Sequence, residues 1–284
     1  MQVEFLGTGG AVTTLRPLCD CRVCVQAREL AIPYARSGPS VFVHGPDVLI
    51  DTPEEIKAQL DRSRVGDIAA CFYSHWHGDH VLGWRVWEAL NKDFRGWPPE
   101  ERTTEIYLPE QVAIDFRKML GMRSSLAFFE NLGIVEVVEM VDGEVVTLGG
   151  TTIHPLRLAE EFVYAFEFER DGTRLLIAPD EVNGWKPPGH LRGADLAVLQ
   201  VGVFEFDPLT RERRIHEENP VLQSESTFEQ TLEIVEKLDA RRTILTHVEE
   251  MDGLSHDDLQ KIGNRLQDQG RNIEFAYDTL IVDV

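Results

Sequence analysis

Six consecutive residues, His75-Trp76-His77-Gly78-Asp79-His80, constrain this chain more than any other stretch of it. They follow the apolar run Ile68 to Tyr73, so three imidazoles and one carboxylate stand at the end of what reads as a buried strand. Imidazole and carboxylate together suit zinc, manganese or iron. Side chains two apart on an extended chain share a face, so His75 and His77 can aim at one cation. Asp79 and His80, beyond the turn at Gly78, can point at a second. The stretch predicts a metal site, and a dinuclear one. A surface loop with a chance run of histidines is the plainer reading; the density of ligands behind an apolar strand argues against it.

The remainder alternates between β and α signals. Gln2 to Leu6 reads as a strand that breaks at Gly7-Thr8-Gly9-Gly10, which is no G-x-G-x-x-G phosphate loop and suggests a tight turn near the site. Residues 11–38 read as an irregular segment, with a cysteine-containing insertion at about 15–38. Ser40 to His44 and Val48 to Asp51 flank Gly45-Pro46-Asp47, a hairpin signal. Pro53-Glu54-Glu55 opens a helix to about Asp61, and Val81, Trp84, Val86, Trp87 and Leu90 share a helical face. Residues 91–104 read as a loop insertion, either overhanging the site or simply solvated. A strand at Glu105 to Leu108 and a helix at Glu110 to Leu120 follow, and β signals prevail from Val135. The chain closes with a helix at Thr227 to Leu238, a strand at Thr243 to Thr246, a helix at Asp257 to Gln267 and a hairpin near Tyr277-Asp278. Two β-rich halves, each ending in helices, predict an α/β fold of two sheets packed face to face with helices outside, as one domain over 1–284.

A chain of 284 residues, 43% of them hydrophobic, can bury a sizeable core. No apolar stretch approaches the roughly 20 residues that span a bilayer. The opening Met1-Gln2-Val3-Glu4-Phe5-Leu6 lacks the basic start of a signal peptide, so a cytoplasmic location is expected. In that compartment the spacing of Cys19, Cys21 and Cys24 suggests metal rather than disulfide, and Cys71 suggests core packing. The net charge of -21 repels a phosphate backbone, so extended nucleic acid is not the expected partner. A small-molecule substrate is expected, with no membrane association, and a homodimer is left open.

More metal-ligand types stand where apolar strands end. Asp180 follows Leu175 to Pro179, His247 follows Thr243 to Thr246, and Glu160-Glu161 follow Ile153 to Ala159. Strand ends along one edge of a sheet converge, so one rim can gather them. A carboxylate such as Asp180 can bridge two cations about 3.5–4 Å apart.

Taken together, His-x-His-x-Asp-His after a strand, Phe5-Leu6-Gly7-Thr8-Gly9, Leu49-Ile50-Asp51-Thr52, Asp180 and Leu245-Thr246-His247 resemble the metallo-β-lactamase superfamily over nearly the whole chain. Within it the chain is most similar to the branch of tRNA 3′-end endonucleases and the cyclic-phosphate phosphodiesterase of the carbon–phosphorus lyase pathway, which carries a similar Cys-x-Cys-x-x-Cys insertion. The resemblance implies a four-layer αββα sandwich of two mixed sheets with outer helices. It also implies a hydrolytic role and two divalent metals (zinc, manganese or iron) at the rim. By position, His75 and His77 would hold the first metal, Asp79, His80 and His247 the second, and Asp180 would bridge them. Asp51 would stand behind these ligands, and Cys19, Cys21 and Cys24 would hold a structural zinc.

Three positions depart from the family. Its further histidine on the first metal falls at Glu160 or Glu161, of which Glu160 is favoured because Leu156 and Leu158 share its parity. Its histidine before the late helix falls at Glu225, which joins Asp79 as a candidate catalytic residue. The fourth ligand of the structural zinc falls at Glu250, with His256 nearby as a helix-start residue. Carboxylate in place of imidazole favours manganese or iron over zinc. The leading expectation is a hydrolase of small phosphodiesters acting through a hydroxide that bridges the metals. The rivals are hydrolysis of a lactone, thioester or other ester at the same centre, and metal binding without hydrolysis. Oxygen chemistry at a di-iron centre would need a flavin partner that the chain does not contain.

Overall fold

The computed structural model, which describes residues 1–97 and 102–284, resolves the β-rich halves into two seven-stranded sheets. The first is built from β1 (Gln2–Gly7), β2 (Ser40–His44), β3 (Val48–Ile50), β4 (Ala70–Phe72), β5 (Thr104–Leu108) and β6 (Val135–Glu139). The second is built from β7 (Val146–Leu148), β8 (Thr151–Arg157), β9 (Tyr164–Arg170), β10 (Thr173–Ala178), β11 (Leu196–Gln200), β12 (Thr243–Thr246) and β13 (Ile273–Phe275). The last strand, β14 (Ile281–Asp283), returns to the first sheet, whose order is β14-β1-β2-β3-β4-β5-β6; the second runs β13-β12-β11-β10-β9-β8-β7. Both sheets are mixed: β3 to β6 and β10 to β13 pair in parallel, and the other pairs are antiparallel.

Side-chain parity accounts for the layering. Leu175, Ile177, Leu196 and Val198 belong to the core between the sheets, with Ile50, Phe72 and Ile106 of the first sheet. Their alternates Leu176, Ala178, Ala197 and Leu199 pack outward against Phe228, Ile234, Leu259 and Ile262 of the helical layer. Strands buried on both faces need no polar alternation, which is why β10 and β11 read as continuous apolar runs. Phe72 of β4 meets Phe166 of β9 edge to face, centroids 5.5 Å apart, and so ties the sheets together.

Nine helices are described: α1 (Arg22–Leu30), α2 (Ile56–Arg62), α3 (Gly78–Val81), α4 (Val86–Asn91), α5 (Glu110–Lys118), α6 (Met122–Asn131), α7 (Val221–Ser224), α8 (Phe228–Leu238) and α9 (His256–Asp268). Capping boxes start the two late ones, Thr227 with Gln230 and Ser255 with Asp258. Among the described residues, no helix is long and apolar enough to cross a membrane.

Several expectations give way. The segment 11–38 is not irregular throughout: it contains α1, whose first turn is capped by the Cys21 side chain accepting from the Cys24 amide. The helix expected over 81–90 is divided into α3 and α4, and Gly83 between them packs so close to Pro53 that a Cβ there would meet its carbonyl oxygen at 2.0 Å. Glu54 and Glu55 precede α2 rather than opening it. The helix expected to Leu120 ends at Lys118, and α6 follows Gly121, whose φ of +63° suits glycine. The final strands do not form a hairpin, since β13 joins β12 and β14 joins β1. Between them buried Asp278 accepts from the Thr8 and Ser37 hydroxyls and from Arg62, which carries the chain from one sheet to the other. Of the insertion at 91–104, residues 98–101 lie outside the described residues, and Phe94 and Trp97 are exposed.

Candidate metal centre

The C-terminal ends of β4, β10 and β12 open onto one rim. His75 lies three residues beyond β4, Asp79 and His80 sit on the single turn of α3, and Asp180 and His247 end β10 and β12. Their ligand atoms form two tight sets. His75, His77 and Asp180 make one and Asp79, His80 and His247 the other, the atoms of each lying within 4.8 Å of one another. One oxygen links them: Asp180 Oδ2 is 3.5 Å from His75 Nε2, 3.4 Å from His80 Nε2 and 3.4 Å from His247 Nε2. Asp79 Oδ2 is 3.4 Å from His80 Nε2 and 3.6 Å from His247 Nε2.

These spacings, together with the unpaired nitrogens, fit cations. Nε2 of His75, His80 and His247 are all buried without a hydrogen-bond partner among the described residues, an arrangement that costs free energy unless something else binds there. Two ligands about 2.1 Å from one tetrahedral ion stand about 3.4 Å apart. The tautomers agree. Asp51 accepts from the Ser74 amide at 2.7 Å and from its hydroxyl at 2.6 Å. With its proton given to Asp51, the Ser74 hydroxyl accepts from His75 Nδ1 at 2.9 Å. His80 Nδ1 donates to Asp51 at 2.7 Å. Each ring is thereby held with a bare Nε2 toward the rim, the arrangement that orients metal-binding histidines.

The electrostatics divide the two sets. Burial favours neutral His80 and His247, but the acids outweigh it: Asp79 and Asp51 hold His80 well above the usual range, and Asp180 and Asp79 lift His247 to about 9. Burial would raise the carboxyls of Asp79 and Asp180, yet the surrounding imidazoles keep both well below the usual carboxylate range. Burial, then His80, instead pushes His75 well below the usual range, and burial lowers His77, so positive charge is drawn to the side of Asp79, His80 and His247. Backbone strain gathers here too: Asp51, Glu181 and His247 have φ of +62°, +51° and +62°, a region non-glycine residues seldom enter.

The rim opens into a cleft of about 300 Å³. Its lining includes the acids Glu181, Glu225 and Glu249 and an apolar wall of Val203, Val221 and Met251. Glu225 lines the cleft as the position before the late helix requires; it accepts from Gln200 at 3.3 Å, and burial, then Asp180, raises its carboxyl. Glu160 is different. Neither donor set includes it, and Glu161 is exposed. After β8 the chain closes a turn in which the Val163 amide donates to the Glu160 carbonyl at 3.0 Å, and Glu160 stays near enough to Glu181 to act on its carboxyl without joining a donor set. Sequence reasoning missed Glu181, whose Oε1 is 3.7 Å from His77 Nδ1, and Glu249, whose carboxylate accepts from the Ala11 and Val12 amides. An acid directly beside a candidate ligand, Asp180 in one case and near His247 in the other, was the available signal. Gly10 belongs to this arrangement, because a Cβ there would meet Glu249 Oε1 at 2.2 Å and His247 Cε1 at 2.8 Å.

A second centre lies on the far side of the same loop. Cys19, Cys21 and Cys24 surround Glu250 Oε1 at 3.3, 2.9 and 3.3 Å. All three cysteines are free, and the four residues form a set within metal-ligand reach. As thiols they donate to the carboxylate; as thiolates the same atoms make a four-donor cage suited to zinc. His256 is not in this set: its ring packs edge-on against Tyr34 and Tyr277.

The model of the β-lactamase superfamily domain matches residues 46–248. A search of curated proteins finds no match. Among solved structures, a diphosphatase of the PhnP family superposes with a TM-score of 0.70 at 24% identity, over 100% of this chain and 97% of that one. Zinc-bound PqqB of Methylobacterium extorquens gives 0.67 at 16% identity, over 100% of both chains. The short form of human tRNase Z gives 0.59 at 18% identity, over 100% of this chain and 99% of that one. At such identities the likeness is one of fold.

Proposed function

The chain belongs to the metallo-β-lactamase superfamily, and on that premise we propose that it is a metal-dependent hydrolase of small phosphodiesters. The observation that carries the proposal is Asp180 Oδ2 set between imidazoles of both donor sets, whose buried Nε2 atoms have no other partner. His75, His77 and Asp180 would hold one divalent ion, and Asp79, His80, His247 and Asp180 the other. Such a pair lowers the pKa of bound water and stabilises negative charge at the reacting centre.

The chain's own groups do the rest. Asp51 and Ser74 keep the rings of His75 and His80 turned to the rim. Glu225, its carboxyl raised by burial and by Asp180 although Gln200 donates to it, is the acid placed to pass a proton to a leaving group. Val203, Val221 and Met251 provide an apolar seat for the part of the substrate that does not react. The cleft is small, its described lining holds no lysine or arginine, and the chain carries a net charge of -21. A small substrate fits those facts better than extended nucleic acid. That two of the similar structures are a diphosphatase and a tRNase Z favours a phosphorus centre over a carboxylic ester. A structural zinc at Cys19, Cys21, Cys24 and Glu250 completes the reading.

The test is a panel of bis-p-nitrophenyl phosphate, a lactone and a thioester, run on protein loaded in turn with zinc, manganese and iron. Turnover of the phosphodiester is expected. Turnover confined to the lactone or thioester makes the protein an ester hydrolase, and bound metal with no turnover makes it a metal-binding protein.

A further inference from the structure

We infer that Glu181 is the remaining side-chain ligand of the cation held by His75, His77 and Asp180, a position the family pattern would give to Glu160. The inference rests on the metal-centre reading above and concerns how that centre is completed.

The two donor sets are unequal. With Asp180 shared, Asp79, His80 and His247 make four donors on one side, whereas His75 and His77 make only three on the other. Glu181 stands at the edge of the poorer set, outside its tight triplet, on the side that opens to the cleft. Its Oε1 is 3.7 Å from His77 Nδ1, close to the 3.4–3.6 Å that separates the donor pairs around Asp180 and Asp79.

The side chain has no other occupation. It is 9% exposed, and among the described residues no hydrogen bond ends on its carboxylate and no lysine or arginine pairs with it. The groups around it include more acids, Asp180, Glu225 and Glu160. Burying a carboxylate among carboxylates is costly unless a cation compensates. The backbone is bent to permit the approach: Glu181 has φ of +51°, and its amide donates to Asp180 Oδ1 at 2.8 Å. That bond holds Asp180 with Oδ2 toward the histidines, while the turn brings the next side chain to the same rim. Strict strand alternation would have sent it to the opposite face. Glu160 lies near enough to act on the Glu181 carboxyl, but it is partly exposed and absent from both donor sets and from the cleft lining.

A set of two imidazoles and two carboxylates is harder than the usual zinc environment, so the first cation should be manganese or iron in preference to zinc. The experiment titrates metal-free protein with Mn(II) alone and with Zn(II) alone, by calorimetry and elemental analysis, for the parent, Glu181→Gln, Glu181→Ala, Glu181→His and Glu160→Ala. Expected is a loss of at least about tenfold in Mn(II) affinity at one of two sites for Glu181→Gln and Glu181→Ala. The metal-free melting temperatures should stay at the parental value, Glu160→Ala should bind as the parent does, and Glu181→His should bind with zinc now preferred. Parental affinity at both sites in the Glu181 variants, or loosening by Glu160→Ala alone, overturns the inference; the near-isosteric Gln variant decides if the Ala protein does not fold. Phosphodiester turnover measured on the same samples keeps the two claims apart. A parent that binds two ions and hydrolyses nothing ends the hydrolase reading and leaves Glu181 to be judged by affinity, whereas a parent that binds none removes both.

Discussion

Asp51 Oδ2 lies 2.7 Å from His80 Nδ1, and the same carboxylate takes the amide and hydroxyl protons of Ser74. One residue that faces neither the cleft nor solvent thus orients ligands of both donor sets. Asp51→Asn should lower the affinity for at least one cation by about 10–100-fold. The metal-free fold should survive, because asparagine tolerates the φ of +62° found there. Metal titration with a parallel melting curve reads both effects.

Asp180 carries more. Its Oδ2 faces His75, His80 and His247 at 3.4–3.5 Å, so Asp180→Ala removes an anion from both sides at once. Turnover should be lost and both affinities should fall, by more than replacing Asp51 produces. Near-normal turnover of the variant would remove the bridging role.

Glu225→Gln separates proton supply from metal binding. The amide keeps the size and the contact with Gln200 but has no proton of the right acidity to give. A loss of about 10²–10⁴ in kcat is expected, at unchanged metal content by elemental analysis. Loss of metal in this variant would place Glu225 among the ligands instead.

At the cysteine centre, replacing Cys19, Cys21 and Cys24 together by serine should remove one zinc per chain and lower the melting temperature. Glu250→His should keep the zinc, since three thiolates and an imidazole form an established structural set. Triple-serine protein with parental zinc content and melting temperature would show that the cage holds no ion.

Away from both centres, Phe166→Ala should cost about 3–5 kcal/mol of stability. The ring is fully buried between the sheets and meets Phe72 edge to face. Chemical denaturation with unchanged metal content checks it.

Much of this was readable from the chain because the ligands are local or stand at strand ends. His75 to His80 announce themselves by adjacency, and Asp180 and His247 by closing apolar runs. The layering is expected from two β-rich halves that each end in helices, and β10 and β11, apolar on both faces, take cover on both sides. What escaped depends on long-range or single-residue geometry. Glu181 reaches the rim only through one left-handed residue, which no periodicity reports. Parity favoured Glu160, but the turn after β8 interrupts the alternation and leaves it outside both donor sets. Tyr277-Asp278 reads locally as a hairpin, while bonds to Thr8, Ser37 and Arg62 decide that the flanking strands join different sheets. The helix α1 was hidden in a segment whose cysteines looked like a loop.

The segment His247 to Glu250 joins the two centres within four residues. His247 serves the rim, Glu249 clasps the amides of Ala11 and Val12, and Glu250 closes the cysteine cage, its own amide donating to the Val12 carbonyl. If both centres bind ions as proposed, emptying the cage would free the Glu250 carboxylate and leave the loop that presents His247 held only by the backbone and Glu249 bonds to the N-terminal turn. A chelator strong enough to empty the cage should therefore leave protein that resupplied manganese or iron alone does not reactivate, and that zinc given first does.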